Sequence, residues 1–191
     1  MAKNVIQQSW RGDSMSQLYQ FSQNLAIGKQ GEWQMIRFFI WLGFTQVKSE
    51  DVYQYQLDRQ GYPLIVDVSD RPDYQEQEID LLLYYYPDKC PISVEVKKQP
   101  SALKWGNLFF QITNHRGDPG WGDKSNAHYF AFIVPDSEIL LVKRSKLSAL
   151  TRKHQFKLKT MDNGEEGLLI PVSDVRNICD PDKIIPIPKL A

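Results

Sequence analysis

The spacing of apolar positions predicts a long helix near the start of the chain. From Met15 to Leu42 apolar residues recur with a helical period, and the pattern breaks near Gly28 and Gly31. Gly43 is suited to end this helix, because glycine readily adopts the left-handed backbone that follows a last helical turn. The residues before Met15 carry no clear period, so we expect them to form a loose arm.

One carboxylate interrupts the apolar face of this helix. The positions that share the face hold apolar residues or glycine with a single exception, Glu32. A charged side chain is unexpected there, because burial removes its hydration. We therefore regard Glu32 as a candidate functional residue. The residues of this face are Gly28, Glu32, Met35, Ile36, Phe39 and Gly43.

Short apolar and alternating runs predict strands after residue 45. A loop at 69–77 separates the first runs from two runs that flank the sequence PDKC at 87–90. This order of elements indicates an α/β or α+β fold with one mixed central sheet flanked by helices. The predicted strands are 46–57, 62–69, 78–86, 91–99, 106–113, 127–135 and 138–144, with a short helix at 145–155.

The length of 191 residues suits one domain with appendages. We expect a single domain over residues 1–170, with the arm at 1–14. Residues 171–191 contain four prolines and are expected to form an irregular or docked extension.

Composition places the protein outside the membrane and export classes. The sequence has no run of 18 apolar residues, and its N-terminus lacks the apolar core of a secretory signal. Cys90 and Cys179 are far apart, which gives neither a disulfide framework nor the spacing of a metal site. We therefore expect a cytoplasmic protein.

The net charge is zero, but its distribution is uneven. Residues 50–95 hold eleven Asp or Glu and three Lys or Arg, a balance of 3 − 11 = −8. Residues 96–161 hold four acidic and twelve basic residues, a balance of 12 − 4 = +8. The two segments could form a cation-binding pocket beside a phosphate-binding surface, or could neutralise each other by pairing.

The sequence around PDKC places three charged residues together. If PDKC is the tip of a hairpin, its centre lies at 88.5 and paired positions sum to 177. Asp80 then lies opposite Lys97, and Leu82 lies opposite Glu95. Directly opposed residues share a face, so Asp80, Glu95 and Lys97 are predicted on one side at one end of the hairpin.

Two carboxylates and an ammonium group support metal-assisted phosphodiester cleavage. Carboxylate oxygens hold Mg²⁺ or Mn²⁺, and a lysine can orient water or offset negative charge in the transition state. Glu32 has the type and facing to complete such a site. The alternative is that each residue is an ordinary exposed charge, which is favoured for any one of them alone. The convergence of all four residues at one predicted position favours an active site over ordinary exposed charges.

These residues resemble the PD-(D/E)XK nuclease superfamily, which has the restriction-endonuclease-like fold. The resemblance rests on a helix glutamate, a strand-start Asp80 and the sequence Glu95-Val96-Lys97, and it covers a core at about 25–150. The aspartate is preceded by Ile79, not by the proline of the family pattern. A Pro-Asp pair occurs instead at Pro72-Asp73, within the predicted loop.

The resemblance implies a role for each candidate residue. Asp80 and Glu95 would be metal ligands, with the Val96 carbonyl as a possible third. Lys97 would be the catalytic lysine, and Glu32 the helix carboxylate found in many members. Gln111 would be a further polar residue of the active site.

A basic stretch is a candidate nucleic-acid surface. Residues 139–161 contain seven Lys or Arg and no Asp or Glu. Trp105 and Trp121, in loops beside the predicted site, could stack on bases. The alternatives are a solvated basic helix and ordinary loop packing. The candidate basic residues are Lys143, Arg144, Lys146, Arg152 and Lys153.

These expectations combine into a Mg²⁺- or Mn²⁺-dependent endonuclease that acts on DNA, and we expect a homodimer because cutting both strands usually takes two sites. RNA is an alternative substrate with the same chemistry. The alternative from another class is a catalytically inactive protein of this fold that binds nucleic acid or a protein partner. Homing endonucleases, junction resolvases and restriction enzymes share the core, and the sequence does not choose among them.

Overall fold

The computed structural model of the protein describes residues 9–58, 63–86, 89–180 and 184–186. Its helices are α1 (Ser9–Trp41), α2 (Val52–Asp58), α3 (Pro72–Gln75), α4 (Pro100–Trp105), α5 (Trp121–Lys124), α6 (Arg144–Lys153) and α7 (Val172–Ile178), with a 3₁₀ turn at Ser49–Asp51. Its strands are β1 (Thr45–Val47), β2 (Leu64–Asp67), β3 (Leu81–Tyr84), β4 (Ile92–Lys98), β5 (Asn107–Thr113), β6 (Tyr129–Val134), β7 (Glu138–Lys143), β8 (Lys157–Thr160), β9 (Glu166–Pro171) and β10 (Ile184–Pro186).

Seven strands form a mixed central sheet in the order β1-β2-β3-β4-β6-β7-β10. The pairs β1–β2 and β4–β6 are parallel, and the other neighbours are antiparallel. A separate antiparallel sheet has the order β5-β9-β8. The expected mixed α and β class, with helices flanking a mixed sheet, is confirmed. Across the described ranges, no helix is both long and apolar enough to cross a membrane.

Helix α1 covers one face of the central sheet. Its buried residues Met35, Ile36 and Phe39 pack against apolar side chains of β2, β3, β4, β6 and β7. The predicted break at Gly28 and Gly31 is wrong, because the helix continues through both. Gly31 instead permits close packing: a β-carbon there would lie 3.0 Å from Cβ of Lys98 on β4.

The end of α1 has the predicted glycine cap. Gly43 adopts a φ of +93°, in the left-handed region that glycine tolerates. The Gly43 N–H donates to the Ile40 carbonyl at 2.9 Å, and the Phe44 N–H donates to the Phe39 carbonyl at 2.9 Å. The centres of the Phe39 and Phe44 rings lie 5.1 Å apart, and this is the apolar contact that accompanies such a cap.

The opposite face of the sheet is covered by different elements. Over β6 and β7, a core contains side chains from β5, β9, α6 and α7. The three-stranded sheet therefore packs on this half of the molecule. A smaller core lies over β2 and β3, and it includes Ala127 from the segment that leads into β6. The polar residues of β4 project on this face, between the two cores.

Several predictions of local structure need correction. The loose arm expected over 1–14 is wrong for residues 9–14, which belong to α1, and residues 1–8 lie outside the described residues. The run 46–57 is not one strand: β1 ends at Val47, and a 3₁₀ turn and α2 follow. The alternating sequence VYQYQ fits a strand or a helix equally, and the acidic first turn Ser49–Asp51 favours helix. The loop at 69–77 contains the short helix α3. In the extension predicted over 171–191, residues 172–178 form α7, which docks on the core through Val172 and Val175; residues 181–183 and 187–191 lie outside the described residues.

The predicted hairpin register is wrong by two residues. Leu81 pairs with Val94, Leu82 with Ser93, and Leu83 with Ile92, so paired positions sum to 175. Strand β3 ends at Tyr84, before the expected PDKC turn, whose residues 87–88 lie outside the described residues. A shift of two residues preserves the face of every side chain.

Candidate active site

Strand β4 separates apolar and polar side chains cleanly between the two faces of the sheet. Val94 and Val96 lie in the core under α1. Glu95 and Lys97 project on the other face. Because β4 is central in the sheet, Glu95 is only 1% exposed and does not lie on a solvent-facing side. A buried glutamate in a central strand requires specific partners or a function.

Asp80 comes directly before β3, whose first residue Leu81 pairs with Val94 of β4. Its backbone N–H donates to the Val94 carbonyl at 3.0 Å, and its carbonyl accepts from the Val68 N–H at 2.9 Å. Its Oδ2 accepts from the Val96 N–H at 2.7 Å. The chain at Asp80 is therefore held between β2 and β4. The Val96 carbonyl points to the same side as its N–H, toward Asp80.

Lys97 forms an ion pair with Oε1 of Glu95. Its Nζ also lies 4.0 Å from a carboxylate oxygen of Glu78. The other Glu95 oxygen, Oε2, is buried and has no hydrogen-bond partner. An unpartnered carboxylate oxygen in the interior is costly, so Oε2 is available to a ligand.

Trp121 forms the wall of the site beside Lys97. The Lys97 Nζ lies 5.0 Å from the centre of the Trp121 ring, a cation–π distance. The indole packs against Phe110 at 5.2 Å and Phe130 at 5.5 Å. Trp121 is therefore a packing residue that positions Lys97.

Two glycines and Gln111 hold Trp121 in place. A β-carbon at Gly120 would lie 2.7 Å from the Gln111 side chain, and one at Gly122 would lie 2.5 Å from the Phe110 ring. Only glycine lets this segment pack directly on β5. The Gln111 side-chain oxygen accepts from the backbone N–H of Trp121 at 3.2 Å. Gln111 thus supports the site through Trp121.

Glu32 approaches the strand end from the opposite face, on α1. Its carboxylate ion-pairs with Lys29 at 3.1 Å, and Lys29 also contacts Asp70 at 2.6 Å and the Ser69 hydroxyl at 2.9 Å. The structure thus brings Asp80, Glu95 and Lys97 together and places Glu32 nearby, bound to a lysine of its own.

Burial and mutual repulsion perturb the two strand carboxylates. Burial raises the pKa of Asp80 well above its usual range, and the Glu95 charge raises it further. Burial also raises the pKa of Glu95, although the Lys97 charge opposes this. Burial alone would lower the pKa of Lys97, but the Glu95 and Asp80 charges give a net increase. The charge of Glu32 adds to the increase at both carboxylates.

Glu78 is a member of this cluster that the sequence pattern did not single out. Its carboxylate bridges Lys97 at 4.0 Å and Lys124 at 3.3 Å. Its φ of +52° is unusual for a residue other than glycine, and such backbone strain concentrates at functional sites. Its position two residues before Asp80 could have suggested a shared face, but Glu78 falls outside the regular strand.

The donor set fits a hard divalent cation. The free oxygens of Asp80 and Glu95 and the Val96 carbonyl are oxygen ligands of the type that Mg²⁺ and Mn²⁺ prefer. The unpartnered Oε2 of Glu95 supports the fit. Among the described residues, no group of three or more His, Cys, Asp or Glu side chains is arranged to hold a metal ion.

The predicted nucleic-acid residues are distributed over several surfaces. Arg144 and Arg152 line one cavity on α6, and Lys153 lines another. Lys146 ion-pairs with Asp180 at 2.7 Å. Lys143 is exposed at the end of β7. Trp105 is 65% exposed at the end of α4, with Lys104 over its ring at 4.7 Å.

Comparison of the chain with protein-family models, curated proteins and solved structures found no match. The resemblance to the PD-(D/E)XK superfamily therefore rests on the residues of the site, and its function is argued from their chemistry.

Proposed function

We propose that the protein is a divalent-metal-dependent endonuclease that hydrolyses phosphodiester bonds in DNA. The observation that carries this proposal is the cluster of two buried carboxylates, Asp80 and Glu95, with Lys97 beside them and Glu95 Oε2 buried without a partner. A carboxylate pair inside a fold is unfavourable unless a cation is present to offset the repulsion.

Each residue has a distinct role in the proposed reaction. Asp80, Glu95 and the Val96 carbonyl would hold Mg²⁺ or Mn²⁺. The bound cation would act as a Lewis acid on the phosphate and favour ionisation of a bound water. Lys97, released from Glu95, would place its ammonium near the attacking water or the phosphate oxygens. The cation–π contact with Trp121 restricts where that ammonium can move.

The remaining charged residues adjust this centre. Glu78 and Glu32 add negative potential at Glu95, which favours cation binding, and the Glu78 charge also raises the pKa of Lys97. Lys124 and Lys29 pair with these two glutamates and limit the repulsion. DNA is the proposed substrate, and two copies of the chain would supply a site for each strand.

The ion pair between Lys97 and Glu95 also supports a second candidate. In a catalytically inactive protein of the same fold, the ammonium would satisfy Glu95 permanently and no metal would be needed. Such a protein would bind nucleic acid or a protein partner without turnover. Binding of DNA without cleavage in any divalent cation would favour this candidate.

The test is cleavage of supercoiled plasmid, duplex oligonucleotide and RNA in Mg²⁺, Mn²⁺, Ca²⁺ or EDTA. We expect the wild type to cut DNA in Mg²⁺ or Mn²⁺ and the Asp80→Ala and Lys97→Ala variants to be inactive. Matched controls are Lys98→Ala, on the other face of β4, and Asp73→Ala, in the exposed Pro-Asp pair; both should remain active. Cleavage that persists in Asp80→Ala and Lys97→Ala would refute the proposal.

A further inference from the structure

The cavity lined by Arg144 and Arg152 lies between α6 and the residues that lead into β6. Its volume is about 500 Å³. We propose that it binds a backbone phosphate of the nucleic acid, at a position separate from the carboxylates. The choice of nucleic acid as the source of that phosphate rests on the proposed function. The residues that carry the argument are Asn126, His128, Arg144, Ser145, Ser148 and Arg152.

The cavity has the charge that an anion requires. Arg144 and Arg152 contribute two guanidinium groups, and none of the described residues that line the cavity is acidic. Neither guanidinium is within ion-pair distance of a carboxylate in the described part of the chain, whereas Lys146 on the same helix is neutralised by Asp180. Unpaired guanidinium groups are the preferred protein donors to phosphate.

The spacing of these residues directs them to one face of α6. Arg144, Ser148 and Arg152 follow at intervals of four, which places them on successive turns of the same helix face. The Arg144 Nη1 donates to the Ser125 carbonyl at 3.1 Å, and this bond fixes the side chain while leaving its other N–H groups available. The hydroxyls of Ser145 and Ser148 add further donors.

His128 contributes a donor whose tautomer is fixed by Ser93. The Ser93 backbone N–H donates to Nδ1 of His128 at 3.0 Å, and the Ser93 hydroxyl lies 2.7 Å from the same nitrogen. Because Nδ1 accepts, the neutral ring carries its proton on Nε2. The cavity therefore presents N–H and O–H donors from several side chains to one anion.

The segment from Trp121 to His128 connects this cavity to the carboxylate site. At one end Trp121 contacts Lys97. In the middle, the hydroxyl of buried Ser125 donates to the Glu78 carbonyl at 3.0 Å, and its own carbonyl accepts from Arg144. A nucleic-acid strand bound by Arg144 would thus contact the segment that positions Lys97. The cavity is therefore suited to bind the same nucleic acid that the carboxylate site would cleave.

The test is the affinity of a fluorescent duplex, measured by anisotropy at several salt concentrations in Ca²⁺ or EDTA. The variants are Arg152→Gln, Arg144→Gln/Arg152→Gln and a control with the same charge change, Lys153→Gln/Lys157→Gln. Arg152→Gln is included because Arg152 supports no backbone contact. We expect the double variant to bind at least about tenfold more weakly and its salt dependence to fall by about one released ion per lost phosphate contact. The control should lose less.

Several outcomes would overturn the inference. Equal losses in the arginine and lysine variants would indicate non-specific charge, and no loss in the arginine variants would exclude the cavity. Competition by inorganic phosphate or a mononucleotide at micromolar concentration would identify a free phosphate ligand instead. The binding assay is independent of cleavage: if the wild type binds through the arginines but never cuts, the cavity stands and the nuclease proposal fails.

Discussion

Glu95 and Glu138 are both buried glutamates with a cationic partner, but their surroundings differ. Both oxygens of Glu138 accept from the Arg176 guanidinium, Oε2 from Nε at 3.1 Å and Oε1 from Nη2. Glu95 has only one oxygen paired, with Lys97, and it faces a second carboxylate, Asp80. The bidentate contact with Arg176 occupies both oxygens of Glu138, so neither oxygen is left to bind a ligand.

This difference separates a structural ion pair from the proposed active site. The Glu138–Arg176 pair links β7 to α7, so it stabilises the fold. The group around Glu95 places like charges together and leaves an oxygen without a partner, so it costs stability in the absence of a cation. Proteins keep a destabilising arrangement of this kind where it serves a function.

The largest expected effect concerns activity. Asp80→Ala and Lys97→Ala should reduce DNA cleavage by about 10³-fold or more, since each removes a group that acts on the transition state. Glu138→Gln should leave the rate per folded molecule unchanged. Initial rates on plasmid in Mn²⁺ check this, and similar losses in all three variants would remove the distinction between the two sites.

Stability should respond in the opposite order. Glu138→Gln should lower the free energy of unfolding by about 2 kcal/mol, because it weakens a partly buried bidentate pair whose arginine is half-exposed. Glu95→Gln should cost less or raise stability, because it relieves repulsion with Asp80. Urea denaturation in EDTA measures both values, and a larger loss for Glu95→Gln would contradict the comparison.

The cation of each pair is also held differently. The bidentate contact of its guanidinium orients Arg176, whereas the position of the Lys97 ammonium depends on its contact with the Trp121 ring. Gly122→Ala should displace Trp121, since the new β-carbon would lie 2.5 Å from the Phe110 ring. We expect it to lower the free energy of unfolding by about 1–2 kcal/mol and to reduce the cleavage rate.

Gly28→Ala is the matched control for that substitution, because no atom lies within 4 Å of the position that its new β-carbon would take on α1. It should be neutral or stabilising by up to about 1 kcal/mol. Thermal denaturation and cleavage rates check both variants. A Gly122→Ala protein that melts and cuts like Gly28→Ala would show that Trp121 does not position Lys97.

The last expected effect is a dependence of stability on pH. Because burial raises the pKa of Asp80, the folded protein holds this proton more tightly than the unfolded chain. The associated stability is fully present below the unfolded pKa of about 4 and is lost as pH rises through the folded pKa.

We therefore expect the metal-free wild type to lose stability relative to Asp80→Asn as pH rises from about 4 toward neutrality. The slope for one proton cannot exceed about 1.4 kcal/mol per pH unit. Urea denaturation at a series of pH values in EDTA measures it. Parallel pH profiles for the two proteins would show that Asp80 does not titrate in this way.

The sequence predicted strand β4 and the shared face of Asp80, Glu95 and Lys97, since both depend on local alternation. The register could not be predicted, because it depends on where β3 ends. Tyr85 packs on Phe44 at 5.2 Å and leaves the strand before the expected turn. The result is that Leu81 pairs with Val94, where the prediction had paired it with Val96.

Other features depend on contacts between distant parts of the chain. Gly31 suggested a break in α1, but the helix continues through it, and Gly31 instead allows α1 to approach Lys98 of β4 closely. The role of Trp121 depends on Gly120 and Gly122 resting on β5, a strand of the second sheet. No periodicity in the sequence indicates that packing. The predicted roles in metal binding and catalysis remain predictions.

Calorimetric titration with Mn²⁺ is the sharpest test of the proposed metal site, because it compares the two glutamates without requiring the substrate. The wild type, Glu95→Gln, Asp80→Asn and Glu138→Gln would be titrated at a temperature where circular dichroism shows all four folded. We predict that the wild type and Glu138→Gln bind Mn²⁺, and that Glu95→Gln and Asp80→Asn do not. Absence of binding to the wild type, or unchanged binding to Glu95→Gln, would contradict the proposed site.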